Sequence, residues 1–169
     1  MQRVFRQILT KNLLRLYDKK VPEAFYSFRL LVTDHFGVKL NDLENFYKFS
    51  QRYFTKRSLE ILDKKLKRRI KHEPIQYIFG EWHFAELNLL VKKPVFIPRP
   101  ETPQIVDICE ELLKKNFQTE QKINFLEPCI GTGAISILLI KRLGDFLQGK
   151  GIDINPKCVK IANKNKEKN

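Results

Sequence analysis

The sequence predicts an α/β fold: a small helical N-terminal domain, a β-hairpin linker, and the opening of a doubly wound α/β sheet. Three observations carry this. Apolar residues recur at helical spacing to about residue 71. Pro74, Gly80, Pro94, Pro98, Pro100 and Pro103 then punctuate a stretch that no long helix tolerates. From residue 122 a short apolar run, a glycine turn, a helical pattern and a second short apolar run follow one another, the order of a βαβ unit. The expected divisions are 1–75 helical, 76–100 hairpin and proline-rich linker, and 101–169 sheet domain.

In the first helix Val4, Phe5, Ile8, Leu9, Leu13 and Leu16 form the apolar side, with Arg3, Arg6, Lys11 and Arg15 and no acid before Asp18. Basic, amphipathic and acid-free is the composition of a mitochondrial targeting segment. An ordinary first helix of a basic cytoplasmic domain reads the same way. Residues 22–36 form the second helix, with Pro22 suited to its first turn, Gly37 to its stop, and Phe25, Phe28, Val32 and Phe36 toward the core. A third piece follows Asn41, with Leu43, Phe46 and Tyr47 as its apolar side. In the fourth, Leu59, Leu62, Leu66 and Ile70 make one stripe. Residues 83–91 and 94–97 read as strands joined near Lys92-Lys93. Helical spacing resumes with Ile105, Val106, Ile108, Cys109, Leu112 and Leu113. Ile123–Leu126 is a buried-strand pattern, and Ala134–Arg142 a helix with Ile135, Leu138 and Leu139 on one face. Gly151–Ile154 is a second strand, and Asn155-Pro156 starts a helix as cap and first residue.

The 169 residues carry 32 Lys+Arg against 19 Asp+Glu, a net charge of +13. That surplus suits an acidic partner or nucleic acid and says nothing about fold. No run approaches the ~20 apolar residues of a membrane span. Cys109, Cys129 and Cys158 are odd in number and widely spaced, so a disulfide scaffold does not fit. No metal site is expected. Arg52, Lys56, Arg57, Lys64, Lys65, Lys67, Arg68, Arg69 and Lys71 offer a basic 52–71 face for RNA or the ribosome, or a solvated face that keeps the chain soluble.

The chemistry-bearing residues lie in the last third. Glu127-Pro-Cys-Ile-Gly-Thr-Gly133 stands between a strand and a helix, where glycine lets the backbone turn tightly and approach a ligand. Asp153 ends the next strand, 20 residues after Gly133, and a carboxylate there can accept both hydroxyls of a ribose. The turn lacks the G-x-G-x-x-G of dinucleotide sites, and no Lys-Ser/Thr pair follows Gly133 as in a phosphate-binding loop. Acid-x-x-x-Gly-x-Gly is closer to an S-adenosylmethionine turn. A structural turn with Asp153 solvated at a strand end satisfies the same spacing. Ile97-Pro-Arg-Pro-Glu-Thr102 presents Arg99 and Glu101 on a stiff segment that composition alone reads as an interdomain elbow.

Three motifs in this order, Gln76-Tyr-Ile-Phe-Gly-Glu-Trp-His-Phe84, Val95-Phe-Ile-Pro-Arg-Pro-Glu-Thr102 and the Glu127–Ala134 turn, resemble the HemK/PrmC family of protein-(glutamine-N5) methyltransferases, with the closest likeness to its mitochondrial branch. The resemblance covers roughly residues 60–169 and implies a Rossmann-like S-adenosylmethionine-dependent methyltransferase domain behind a release-factor-binding helical domain. It implies methylation of the glutamine in the Gly-Gly-Gln motif of peptide-chain release factors. By position, Glu127, Cys129, Ile130, Gly131, Thr132, Gly133 and Asp153 would bind the cofactor, and Phe96, Arg99, Pro100 and Glu101 would form the wall around cofactor and target glutamine.

The chain departs from the family at Glu127, where Asp is usual, and at Cys129, where the first turn glycine is usual. The family's Asn-Pro-Pro-Tyr loop is absent, so no catalytic residue is assigned and a C-terminally truncated, inactive chain is expected. An RNA-binding module, or a fragment of a nucleic-acid adenine-N6 methyltransferase with the same turn, are the alternatives.

Overall fold

The computed structural model describes residues 2–36, 55–116, 122–144 and 146–169. The expected third helical piece after Asn41 and the side chains of Val4, Phe5, Ile8, Leu9 and Phe36 lie outside the described residues. The chain divides into two compact units, 1–78 and 79–169.

In the first unit α1 (Gln2–Asp18), α2 (Ala24–Phe36) and α3 (Lys56–Ile70) pack on one another, and the short α4 (Ile75–Phe79) follows. Among the described residues, Leu16, Leu31, Leu62 and Leu66 are the buried leucines of this core. The Leu62–Leu66 centre of the expected stripe is therefore internal, and Thr55 caps α3 by accepting the Ser58 N–H at 3.1 Å. α2 differs from expectation twice. It begins at Ala24 because Glu23 takes φ +49°, which puts a turn between Pro22 and the helix. It also buries Ala24, Ser27, Phe28, Leu31 and Val32 and leaves Phe25 52% exposed. Small Ala24 and Ser27 let neighbouring helices approach, and Phe25 is one step, about 100°, away from that face.

Much of the basic character of α3 is spent inside this unit. Arg69 donates to Ser27 Oγ at 3.0 Å and to the carbonyls of Pro22 and Glu73, both at 3.1 Å. Arg68 forks onto both Glu73 oxygens at 2.8 and 2.9 Å. Lys65 pairs with Asp34 and Lys67 with Asp63, each at 2.6 Å.

The second unit opens with a hairpin of β1 (Glu81–Phe84) and β2 (Leu87–Leu90), in antiparallel register with Trp82 opposite Leu89. Its turn is Ala85-Glu86, not Lys92-Lys93, and residues 94–97 are not a strand. A two-residue turn needs a positive φ, which glycine or asparagine usually signals. Here Ala85 takes it, at +48°, so the cue is missing from the sequence.

Beyond the hairpin come α5 (Pro103–Asn116), β3 (Ile123–Pro128), α6 (Ala134–Leu143), β4 (Leu147–Ile152) and α7 (Pro156–Lys168). β3 and β4 pair in parallel, Ile123 opposite Leu147. β4 starts four residues earlier than its apolar run, because Gly149 and Gly151 interrupt the pattern. Both glycines make room: an added Cβ would lie 2.4 Å from the Phe125 ring at Gly149 and 1.8 Å from Ile130 Cδ1 at Gly151. β3 is half-buried rather than buried, with Leu126 58% exposed, since the described residues give this sheet two strands. Arg142 joins hairpin turn, α5 and α6 through Glu86 at 2.9 Å and Asp107 at 2.6 Å. Asn155 caps α7 as expected, accepting the Lys157 N–H at 3.0 Å. Among the described residues no helix is long and apolar enough to cross a membrane.

Candidate functional site

The Cys129–Gly133 turn joins β3 to α6. The Ile130 N–H donates to the Ile152 carbonyl at 2.9 Å, tying the turn to the end of β4, and the Gly133 N–H closes it on the Ile130 carbonyl at 2.8 Å. Cys129, Gly131 and Gly133 take φ of +57°, +53° and +78°. Cys129 thus occupies a left-handed conformation that glycine adopts without strain. The two glycines serve different ends. A Cβ at Gly131 would meet only the Cys129 carbonyl oxygen, 3.8 Å away, so the space beside it is open to a ligand. A Cβ at Gly133 would press on Ile137 at 3.0 Å and Ala162 at 3.3 Å, so that glycine serves the packing of α6 and α7.

Asp153 stands just past β4 and is drawn into the turn. Its Oδ2 accepts the Gly131 N–H at 3.0 Å and its Oδ1 the Asn155 N–H at 2.9 Å. These backbone donors hold its carboxyl below the usual carboxylate range, with a smaller contribution from the Cys158 thiol. Burial, helped by the Asp153 charge, pushes that thiol up. Asp153 and Gly131, predicted as parts of one site, are therefore in direct contact.

Glu127, at the end of β3, faces α6. Its Oε2 accepts the Ser136 N–H at 3.0 Å and the Ser136 hydroxyl. Gly133 has no side chain to cap α6, and Glu127 supplies an acceptor in its place. Burial raises the Glu127 carboxyl above the usual range, against the lowering effect of Ser136. The native state thus holds this proton more tightly than the unfolded chain. Stability from this group is full below the unfolded pKa and is lost as pH rises through the folded one. The Glu127→Gln variant removes the titration and keeps an acceptor for Ser136. Its thermal midpoint is expected to gain on the parent as pH is raised from mildly acidic to neutral; a pH-independent difference would refute the assignment.

Phe96 is 91% exposed, and Arg99, Pro100 and Glu101 are exposed beside it on the connection between β2 and α5. Among the described residues no hydrogen bond ties their side chains to the turn or to Asp153. Ile130 is half-buried and Thr132 is buried at 4% exposure. Three residues near the turn carry no signal in the sequence. Ser136 reads as one more position in an apolar helix. Asn165 sits in a Lys/Asn run, and Ile154, fully exposed beside Asp153, reads as a strand residue.

A family model described as PrmC N-terminal domain matches residues 7–80, nearly all of the first unit. The chain is similar to the release factor glutamine methyltransferase of Fusobacterium nucleatum, 32% identical over 159 residues, 94% of this chain and 43% of that protein. It is similar to the human MTRF1L release factor glutamine methyltransferase, 33% identical over 132 residues, 76% of this chain and 39% of that protein. It is also 40% identical over 104 residues to the release factor glutamine methyltransferase of Thermodesulfovibrio yellowstonii, 62% of this chain and 36% of that protein. The chain spans less than half the length of these three relatives. A helical unit matched by that N-terminal domain, continuous with a strand–turn–helix aligned to the relatives, places the chain in the HemK/PrmC family.

Proposed function

We propose that this chain forms the recognition and cofactor-binding part of an S-adenosylmethionine-dependent methyltransferase acting on the Gly-Gly-Gln glutamine of peptide-chain release factors. The observation that carries this is the Gly131–Asp153 contact: an open backbone approach and an ionised carboxylate 3.0 Å apart, in a chain related to release factor glutamine methyltransferases. The residues fit the cofactor. Gly131 admits its methionine part against bare backbone, Asp153 takes ribose hydroxyls, and exposed Ile154 offers an apolar face to the base. An ionised carboxylate has about four acceptor positions, so Asp153 keeps capacity beyond its two backbone bonds.

Bound S-adenosylmethionine supplies an electrophilic methyl group. The glutamine amide nitrogen is a poor nucleophile because its lone pair is delocalised, so it must be aligned by acceptors for its N–H groups. In the family an Asn-Pro-Pro-Tyr loop does this, and it is not in this sequence. Glu127, through Ser136, holds the start of α6 in place at the end of the turn. The helical unit is the release-factor recognition domain, and Phe96, Arg99, Pro100 and Glu101 belong to a wall completed when cofactor and substrate are bound. Arg52 lies outside the described residues; among the described residues of 52–71, RNA contact would rest on Lys56, Arg57, Lys64 and Lys71, because Lys65, Lys67, Arg68 and Arg69 already serve the fold. The acid-free run before Asp18 supports a mitochondrial address.

The test is titration calorimetry of S-adenosylmethionine into this chain, with one-to-one binding expected and no methylation of a Gly-Gly-Gln release factor. No heat at about 1 mM cofactor, a level that detects even weak sites, would sink the reading.

A further inference from the structure

α7 reaches the outer side of β2 through two asparagines. Asn165 Oδ1 accepts the Leu90 N–H at 2.6 Å and its Nδ2 donates to the Leu90 carbonyl at 3.1 Å. Asn169 Oδ1 accepts the Asn88 N–H at 2.8 Å and its Nδ2 donates to the Asn88 carbonyl at 3.3 Å. The spacing matches: four helical residues rise about 6 Å, and two strand residues about 6.6 Å. The two asparagines differ in their second donor. That of Asn169 returns to the Asn165 carbonyl at 2.8 Å, whereas that of Asn165 reaches the Thr132 carbonyl, in the middle of the glycine turn, at 2.9 Å.

We infer that Asn165 is a positioning residue for the cofactor turn, which it locks to the hairpin by joining the Thr132 carbonyl to the Leu90 peptide. The side chain is fully buried, and both its donors and its acceptor are engaged. Few side chains can replace it: aspartate lacks both donors, and glutamine is a methylene longer. Gly131 and Gly133, on either side of Thr132, take conformations with little intrinsic preference, so the Thr132 bond selects one of several turn geometries. The hairpin carries one of the motifs shared with the family, and this bond is a route by which its position sets the turn. The role in cofactor binding rests on the function proposed above; the structural coupling does not.

The experiment compares Asn165→Ala with Asn169→Ala, which loses the same kind of contact to β2 but none to the turn. Amide exchange at Gly131 and Gly133 is expected to speed up about tenfold or more in Asn165→Ala, and to stay within about twofold of the parent in Asn169→Ala, on the scale of one lost buried hydrogen bond. Cofactor affinity should drop about tenfold in the first variant alone. Equal turn exchange in the two variants would overturn the inference. If Asn165→Ala does not fold, the parent chain decides. The Asn165 side-chain amide protons should exchange far more slowly than those of exposed Asn163, and equal rates would overturn the proposal. Absence of cofactor binding in the parent with the exchange pattern intact would remove the methyltransferase reading and leave the coupling standing.

Discussion

Asp153→Ala is expected to weaken S-adenosylmethionine binding by about 10- to 100-fold, the scale of losing hydrogen bonds to a charged acceptor. Two effects combine. The ribose loses its carboxylate, and the Gly131 N–H, held at 3.0 Å by Oδ2, loses the partner that orients the turn. Asp153→Asn should be nearly as damaging. The amide keeps one acceptor oxygen but must turn its NH2 toward either the Gly131 or the Asn155 N–H, donor against donor. The backbone donors hold the Asp153 carboxyl below the usual range. Its contribution is therefore present above the ordinary carboxylate pKa and is lost only as pH falls through the lowered one. Parental affinity should stay level from neutral to mildly acidic pH and drop in stronger acid, as titration calorimetry across that range will show. Unchanged affinity in both variants would exclude Asp153 from the nucleoside site.

Gly133→Val is expected to destabilise the chain by about 3 kcal/mol, from the sum of left-handed backbone strain and overpacking. The backbone at φ +78° is strained for any Cβ and worse for a branched one. That Cβ would also meet Ile137 Cδ1 at 3.0 Å and the Ala162 Cβ, which is fixed to the α7 backbone, at 3.3 Å. Ile137 can rotate away, but the Ala162 backbone moves only if α7 shifts. Gly131→Ala is the control. It shares a positive φ of +53° but projects into open space, so it should cost about 1–2 kcal/mol and chiefly obstruct the ligand. Urea unfolding of the two variants against the parent separates the cases, and equal losses would contradict the division of labour between the glycines.

The features readable in the sequence were those whose cause is local. The Asn155-Pro156 start of α7, the Leu62–Leu66 centre of α3 and the glycine turn all depend on residues a few positions apart. Family membership rested on motif order, which is also linear. What escaped depends on partners distant in sequence. Phe25 is outside because α2 meets its neighbours through Ala24 and Ser27. The hairpin turn is hidden because Ala85 takes a conformation that marks no alanine in advance. β4 begins early because its glycines accommodate Phe125 and Ile130 from the adjoining β3 and turn. Within the site, Asp153 was visible by spacing, but its contact with Gly131 was not. Glu127 was visible as an acid in the right place, while its partner Ser136, nine residues on, made it a helix cap.

The asparagine pair on α7 has one more consequence, for the behaviour of the protein in a crowded solution. A two-stranded hairpin presents an open row of peptide groups on which a second chain can add a strand. On β2 the outward N–H and carbonyl groups of Asn88 and Leu90 are already occupied by Asn169 and Asn165. A helix side chain thus does the work of a neighbouring strand without offering a further edge of its own. The hairpin is closed on that side to strand addition and to the fibrillar self-association that begins there.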